Sequence, residues 1–121
     1  MSTPALAQTD SFPIDRAALL DRVGGDEDLL RELTAIFLTE YPLLLLEIET
    51  GLVEGNAQRV ELAAHSLKGS VANFGARNAL EAARCMEALA RGCDLSGARE
   101  ALSHLRFEFE QLQPCLQQLS E

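Results

Sequence analysis

The sequence predicts an all-α protein, an up-down antiparallel four-helix bundle with a short extra helix at its N-terminus. Apolar residues recur at helical spacing through most of the chain, and no stretch alternates long enough to indicate a β-strand. The segments between these patterns are short, so consecutive helices should run antiparallel. Aromatic residues make up only 5% of the chain, which favours a core of leucine and alanine packed between helices.

A chain of 121 residues is expected to form one domain with a single core. Residues 12–121 are assigned to the bundle. Residues 1–11 contain Ser, Thr, Pro and Gln without periodicity, which is typical of a disordered leader or linker. The short first helix follows, with Asp15 as its cap and Gly24 and Gly25 at its end.

The second helix begins at Asp26 and contains a proline, Pro42, which should kink or split it. Its apolar face consists of Leu29, Leu33, Ile36, Phe37, Leu44, Ile48 and Leu52. Leu43, Leu45 and Leu46 extend the apolar surface beyond one stripe. Either neighbouring helices enclose these leucines, which we favour, or they form an apolar patch on the surface.

The third helix carries the most informative residue, His65. The helix should begin after its cap Asn56 and end at Gly75, a good position for a left-handed residue. Its core stripe consists of Val60, Ala64, Leu67, Val71 and Phe74. At about 100° per residue, His65 falls roughly 160° from Leu67, so the imidazole should point to water.

The neighbours of His65 suit a nucleophile that another protein must approach. Glycine costs about 1 kcal/mol relative to alanine inside a helix, yet Gly69 stands one turn after the histidine and removes a side chain there. Lys68, three residues on, can neutralise an anion on the ring. Leu62 and Ala72 complete a small, partly apolar face where we expect a partner to dock. A neutral histidine, with a usual pKa of about 6.5, is a competent nucleophile near pH 7.

The fourth helix is predicted from about Arg77 to Arg91. Its core face is made of small or flexible residues, Ala79, Ala82, Ala83, Met86, Leu89 and Ala90. A second stripe on its flank includes Glu87 and Arg91 and would line the groove beside His65. Glu87 can accept a hydrogen from the imidazole or form a surface pair with Arg91, and the sequence leaves both possibilities open.

The fifth helix should follow Gly92, with Asp94 as its cap. Two sets of residues repeat every seven positions and form an a/d seam, namely Leu95, Leu102, Phe109 and Leu116, and Ala98, Leu105, Leu112 and Leu119. Pro114 lies off the seam and should kink or interrupt the last turns. The second histidine, His104, has no lysine-glycine pair after it and is expected to be a surface residue without a function.

Charge and cysteine content exclude several classes of function. The net charge of -9 argues against nucleic acid and anionic lipid as partners. Cys85, Cys93 and Cys115 match neither a zinc site nor a redox pair, so we expect reduced thiols in a cytoplasmic protein. The N-terminus lacks the features of a signal peptide, and no apolar run is long enough to span a membrane.

The block at 65–69, His-Ser-Leu-Lys-Gly, is followed by Phe-Gly-Ala at 74–76, Leu80, and Glu-Ala-Leu-Ala-Arg at 87–91. From about Asp15 to its end, the sequence thereby resembles the histidine-containing phosphotransfer (HPt) family. The resemblance implies a phosphorelay intermediate in which His65 accepts a phosphoryl group from a receiver-domain aspartate and passes it to another. It also implies a monomer that works with response-regulator receiver domains and a sensor histidine kinase, and that has no cofactor or metal of its own, with Mg²⁺ on the receiver.

Individual roles follow from this resemblance. Lys68 would stabilise charge on the phosphoryl group, and Arg91 matches a basic position that the family often uses near the phosphohistidine. Glu87 lies where some members carry a glutamine that hydrogen-bonds the imidazole. Of the two serines that flank the site, Ser70 is the one expected to touch the bound phosphoryl group.

Other classes of function fit the sequence less well. The alternative is a structural or adaptor bundle that docks a signalling partner without phosphotransfer. A dimerising histidine-kinase hairpin is disfavoured, because Ser66 and Gly69 stand where that class usually has an acidic residue and a proline. Transfer from ATP is disfavoured because there is no Walker motif or glycine-rich nucleotide loop. We therefore expect a phosphotransfer protein without kinase activity, either free-standing or a module of a hybrid histidine kinase.

Overall fold

The computed structural model describes residues 14–121, so the leader predicted over residues 1–11 lies outside the described part of the chain. Over residues 14–121 the chain forms five helices and no strand: α1 (Arg16–Arg22), α2 (Glu27–Glu54), α3 (Ala57–Ala72), α4 (Arg77–Arg91) and α5 (Leu95–Ser120). The four long helices pack in the cyclic order α2, α3, α4, α5, and α5 returns to α2. Short turns join these neighbours, so they run antiparallel. The predicted all-α up-down bundle with a short N-terminal helix is confirmed.

The helices begin where the sequence places their caps. Asp15, Asp26, Asn56 and Asp94 each accept a hydrogen bond from the backbone N–H three residues later, at 2.9–3.2 Å. Each bond satisfies an N–H that has no partner inside the helix. The predicted end of α3 differs slightly: the α-helix stops at Ala72, and the chain tightens through hydrogen bonds such as Gly75 N to Ala72 O. Gly75 itself takes the expected left-handed conformation, with φ of 65°.

The core forms along the predicted faces of α3, α4 and α5. The face predicted for α2 is wrong in its first half, where Leu29, Leu33 and Ile36 are 38–61% exposed while Leu30, Thr34 and Phe37 are buried. All five residues of the α3 stripe are buried. On α5, the seam residues Ala98, Leu105, Phe109, Leu112 and Leu116 are buried in the same core. Phe37, Tyr41, Phe74 and Phe109 form an aromatic cluster with ring centroids 4.9–6.4 Å apart. Helices α2 and α3 approach closely at Gly51, where an added Cβ would lie 2.7 Å from Val60 Cγ2.

The two prolines inside helices do not interrupt them. Helix α2 continues through Pro42 and α5 continues through Pro114. Pro42 and Pro114 are both exposed, and tertiary packing of the apolar faces on either side holds each helix together. Both prolines are predicted to kink or to break their helices; the break is wrong for Pro42 and for Pro114, and the kink stays a prediction.

The favoured enclosure of the leucines after Pro42 is wrong for two of them. Leu45 is half-buried against the core, but Leu43 and Leu46 are 60% and 56% exposed. They lie on the side of α2 turned away from its buried residues. The short helix α1 does not cover them, because it packs near the end of α3, where Arg22 Nη1 donates to the backbone oxygen of Asn73 at 3.1 Å.

Two further properties concern the same described residues. None of the helices formed by residues 14–121 combines the length and apolar character needed to cross a membrane. Cys85, Cys93 and Cys115 are all free, and burial raises the pKa of the Cys115 thiol. Cys93 holds a left-handed conformation, with φ of 59°, in the turn after α4.

Candidate functional site

The candidate site lies where α3 and α4 pack side by side. His65 projects from the outer face of α3, and its side chain is 63% exposed, as the helical pattern predicts. Glu87 reaches it from α4 with a side chain that is only 4% exposed. The alanines on the core face of α4 let the two helices approach closely. The result is a contact of 2.8 Å between His65 Nδ1 and Glu87 Oε2.

This contact determines which ring nitrogen is available. Hydrogen bonding from Lys68, reinforced by the bond from His65, lowers the pKa of the Glu87 carboxyl group even though burial opposes ionisation. Glu87 is therefore a carboxylate at neutral pH and can only accept hydrogen bonds. The proton of the neutral imidazole must then lie on Nδ1. Nε2, on the outer edge of the ring, is therefore unprotonated and has a free lone pair.

Glu87 is the centre of a larger charge network. Its Oε1 lies 2.7 Å from Lys68 Nζ, and its Oε2 lies 2.8 Å from Arg91 Nη2. Arg91 in turn pairs through Nε with Glu61 Oε2 at 2.9 Å. The two possibilities that the sequence left open for Glu87 are thus both realised, since it pairs with Arg91 and also accepts from the imidazole. It is a buried residue rather than part of a solvated surface pair.

Lys68 occupies a position that its spacing alone does not reveal. Its side chain is 29% exposed, and its ammonium rests on Glu87, beside the Nδ1 edge of the ring. The predicted role of Lys68 in neutralising a phosphoryl group stays a prediction. Glu61 is a residue that the sequence reasoning missed: it lies one turn before His65, but its partner Arg91 is 30 residues away on another helix.

The outer face around His65 is open, and its predicted role in docking a partner stays a prediction. A Cβ built on Gly69 would have no atom within 4 Å outside its own helix backbone, so packing gives no reason for glycine at this position. Leu62 is 61% exposed, and Ala72 is exposed as well.

Ser70 lies on the other flank of α3. Its hydroxyl donates to Glu40 Oε1 of α2 at 2.8 Å, so it faces α2 rather than the network around Glu87. Its predicted contact with a phosphoryl group stays a prediction that this geometry does not favour. His104 has the same side-chain exposure as His65, 63%, but the nearest carboxylate oxygen is 3.9 Å away, on Glu108. Exposure alone therefore does not distinguish the two histidines, whereas the carboxylate at Nδ1 does.

The described residues provide no obvious metal site. Among residues 14–121, no three or more His, Cys, Asp or Glu side chains are grouped so that they could hold a metal ion. The two carboxylates of the network around His65, Glu61 and Glu87, are both paired with cations from the protein itself. Their lone pairs are thereby engaged in ion pairs rather than directed at a common point.

Comparison with known proteins identifies the class of protein. The family model of the Hpt domain matches residues 32–121. Because this match spans most of the sequence, the chain belongs to the Hpt domain family, whose members carry out histidine phosphotransfer in phosphorelays. No curated protein matches the chain.

Solved structures agree with this assignment. The fold is similar to that of histidine-containing phosphotransfer protein B from Pseudomonas aeruginosa PAO1, with 25% identity, a TM-score of 0.80, and coverage of 88% of this chain and 92% of that one. The phosphotransfer protein ZmHP2 from maize shows 23% identity and a TM-score of 0.79 over 96% of this chain and 90% of its own. The HPT domain of a sensor hybrid histidine kinase from Shewanella shows 14% identity and a TM-score of 0.76, with 90% and 94% covered. The last two comparisons establish the fold.

Proposed function

We propose that His65 is the phosphoacceptor and that the protein relays a phosphoryl group between the aspartates of two receiver domains. The observation that carries this proposal is the 2.8 Å contact of Glu87 with Nδ1 of an exposed imidazole. It holds the proton on one nitrogen and leaves the other, Nε2, as a nucleophile that faces solvent. His104 is equally exposed but has no carboxylate at such a distance.

In the proposed step, the lone pair of His65 Nε2 attacks the phosphorus of an aspartyl phosphate. The N–P bond forms as the P–O bond breaks, and the bonding pair leaves with the aspartate carboxylate. Positive charge develops on the ring, and the Glu87 carboxylate against Nδ1–H stabilises it without having to move. Attack by the aspartate of a second receiver on the phosphohistidine then returns His65 to its neutral form.

Lys68 and Arg91 supply the positive charge that a phosphoryl group needs nearby. A phosphoryl group brings a charge of about -1.5 to -2 at neutral pH, so it competes with Glu87 for these cations. We assign the mobile role to Lys68, whose flexible stem allows Nζ to move from Glu87 Oε1 to a phosphoryl oxygen. Arg91 is held at a second point by Glu61 and is assigned to keep the Glu87 carboxylate in place.

The receiver domain is proposed to dock over Leu62, Gly69 and Ala72, where the surface is open. The proposed partners are response-regulator receiver domains and a sensor histidine kinase, with the Mg²⁺ ion held by the acidic residues of the receiver. The clearance at Gly69 supports this, because a partner must bring its aspartate within bonding distance of Nε2. The protein is proposed to act as a monomer, since one chain contributes every residue of the network.

The test is transfer of label from a receiver domain that has been phosphorylated with radiolabelled acetyl phosphate. The wild-type protein should acquire an acid-labile, base-stable label, and His65→Gln should acquire none. His104→Gln is the matched control, because it removes an equally exposed histidine, and it should be labelled like wild type. Label that persists in His65→Gln would disprove the assignment. Stable binding of the receiver without any label on wild type would favour the adaptor function instead.

A further inference from the structure

Arg91 joins the two helices of the site through both sides of its guanidinium group. Its Nε lies 2.9 Å from Glu61 Oε2 on α3, and its Nη2 lies 2.8 Å from Glu87 Oε2 on α4. A guanidinium group is planar and rigid, so hydrogen bonds at two of its nitrogens fix its orientation as well as its position. Glu87 Oε2 is also the oxygen that lies 2.8 Å from His65 Nδ1. Glu61 is therefore connected to the imidazole through Arg91 and Glu87.

Glu87 alone holds Arg91 only weakly. The Arg91 side chain is 63% exposed, and an ion pair that involves so exposed an arginine is weak, because water screens it and the long side chain loses rotamer freedom. Glu61 supplies a second attachment from another helix, and its own side chain is half-buried, at 31% exposure. Hydrogen bonding to Glu61 is the main cause that raises the pKa of Arg91 above its ordinary value. Glu61 is thus the residue that gives Arg91 a definite position.

An effect of Glu61 through its charge alone would have the opposite sign. Glu61 lies one helical turn before His65, and both its carboxylate and an incoming aspartyl phosphate are negatively charged. Because like charges repel, the carboxylate would on this ground slow the approach of a donor, and its removal would speed transfer. Its oxygen is instead directed at Arg91, across the boundary between two helices. This geometry is typical of a residue that fixes the position of another residue.

We propose that Glu61 is a positioning residue for phosphoryl transfer, which acts through Arg91 to hold the Glu87 carboxylate against the imidazole. We call the pair of Glu61 and Arg91 the clamp. This inference rests on the proposed role of His65 as phosphoacceptor. With the clamp in place, Glu87 Oε2 keeps the ring proton on Nδ1 and leaves Nε2 directed at solvent. Without Glu61, Arg91 can turn away from Glu87, and the imidazole then samples orientations and tautomers from which Nε2 cannot attack.

The experiment measures transfer from a phosphorylated receiver domain by rapid quench, over a range of receiver concentrations. Glu61→Leu removes both the charge and the oxygen that accepts from Arg91, whereas Glu61→Gln removes the charge but keeps an oxygen. Glu49→Leu is the matched control, because Glu49 of α2 forms a comparable pair between helices with Arg106 of α5, outside the network around Glu87. Both glutamates are partly exposed, so circular dichroism should show that all three variants remain helical.

Glu61→Leu should lower the transfer rate at saturating receiver by about tenfold and leave the half-saturating receiver concentration unchanged. Glu61→Gln should lose only about twofold, because its oxygen still accepts from Arg91 Nε, although more weakly than a carboxylate does. Glu49→Leu should transfer like wild type. Rates of both Glu61 variants that equal or exceed the wild-type rate, or a change confined to the half-saturating concentration, would overturn the proposal. Equal slowing in Glu49→Leu would do the same, since the loss of any pair between helices would then have the effect.

A double-mutant cycle tests whether Glu61 acts through Arg91. In the Arg91→Leu background the clamp is already lost, so Glu61→Leu should cause no further loss of transfer rate. The same loss in both backgrounds would show that Glu61 acts on the reaction directly, and the proposal would be wrong.

Nitrogen NMR of the unphosphorylated protein provides a measurement that does not require transfer. The nitrogen chemical shifts of the His65 ring report which nitrogen carries the proton. Wild type should show the proton on Nδ1, and Glu61→Leu should shift the population toward the tautomer that is protonated on Nε2. An unchanged tautomer in Glu61→Leu, together with label that depends on His65, would refute the clamp alone. Label that persists in His65→Gln would instead refute the proposed function itself, and the tautomer measurement distinguishes the two failures.

Discussion

Gly69 offers a test in which stability and function should change in opposite directions. In the interior of a helix, alanine is about 1 kcal/mol more favourable than glycine. The open space around Gly69 means that an added methyl group neither clashes nor gains packing, so helix propensity alone sets the effect. Gly69→Ala should therefore raise the free energy of unfolding by about 1 kcal/mol, which corresponds to a rise in melting temperature of about 4 °C.

The same position faces the proposed receiver, so a larger side chain should hinder docking. Gly69→Gln should keep part of the gain in stability, because glutamine is also a better helix former than glycine. It should nevertheless slow phosphoryl transfer by about tenfold or more, since an approach error of about 1 Å is costly when two reacting atoms must meet. Urea denaturation measures the stability, and rapid-quench transfer from the phosphorylated receiver measures the rate.

A suitable control is Ser103→Gln, which places the same side chain on an exposed position of α5, a helix that contributes no residue to the site. It should leave the transfer rate at the wild-type value. If Gly69→Gln transfers as fast as wild type, Gly69 does not provide clearance for a partner. If Gly69→Ala is less stable than wild type, then glycine has a structural role that the open surroundings do not show, and the reasoning above is wrong.

Four further predictions concern Glu87, Gly51 and Cys93. Glu87→Gln keeps an oxygen that can accept from Nδ1–H and should slow transfer about tenfold, whereas Glu87→Leu removes it and should slow transfer about a hundredfold in the same quench assay. The pKa of the Glu87 carboxyl lies below its ordinary value of 4.5, so its ion pairs stabilise the fold above that pH and are lost as the pH falls through the lowered pKa. In urea titrations, the difference in stability between wild type and Glu87→Gln should therefore close on acidification. A difference that stays constant would contradict this. Gly51→Ala should destabilise the fold by about 1–3 kcal/mol in urea denaturation, since its Cβ would lie 2.7 Å from a side-chain carbon of Val60. An unchanged stability would show that α2 and α3 can move apart at little cost in free energy. Cys93→Gly should stabilise the fold by about 1 kcal/mol in the same assay, because glycine adopts the left-handed conformation without the strain of a side chain. A lower stability of the variant would show that the Cys93 side chain contributes more than this strain costs.

The features that could be predicted from the sequence are those set within one helix. The caps at Asp26 and Asn56 and the buried stripe of α3 depend on residues three or four positions apart, so local spacing is sufficient. The outward direction of the His65 side chain follows from the same helical periodicity. The continuity of α2 through Pro42 could not be predicted in this way, because it depends on packing against α3 and α5, which are distant in the chain.

The features that escaped prediction are those that depend on how two helices are rotated against each other. Glu87 shares a flank with Arg91, which sequence spacing reveals, but its burial requires α4 to turn that flank toward α3. The contacts of Lys68 with Glu87 and of Glu61 with Arg91 join residues 19 and 30 positions apart, beyond any helical period. The predicted burial of Leu43 and Leu46 is wrong for a related reason. The sequence does not indicate whether another helix covers an apolar residue.

A carboxylate at position 87 serves several purposes that a neutral amide would serve only in part. Both Glu and Gln can accept the hydrogen of Nδ1, so either can orient the imidazole. Only the carboxylate also collects Lys68 and Arg91 beside the ring before a phosphoryl group arrives. Once that group is present, its charge competes with Glu87 for the same cations, so phosphorylation should loosen the network on the Glu87 side while it strengthens contacts at the phosphoryl group. If His65 is the phosphoacceptor as proposed, positive charge already lies beside its imidazole before transfer, and Glu87 binds Lys68 and Arg91 less firmly once the phosphoryl group is attached.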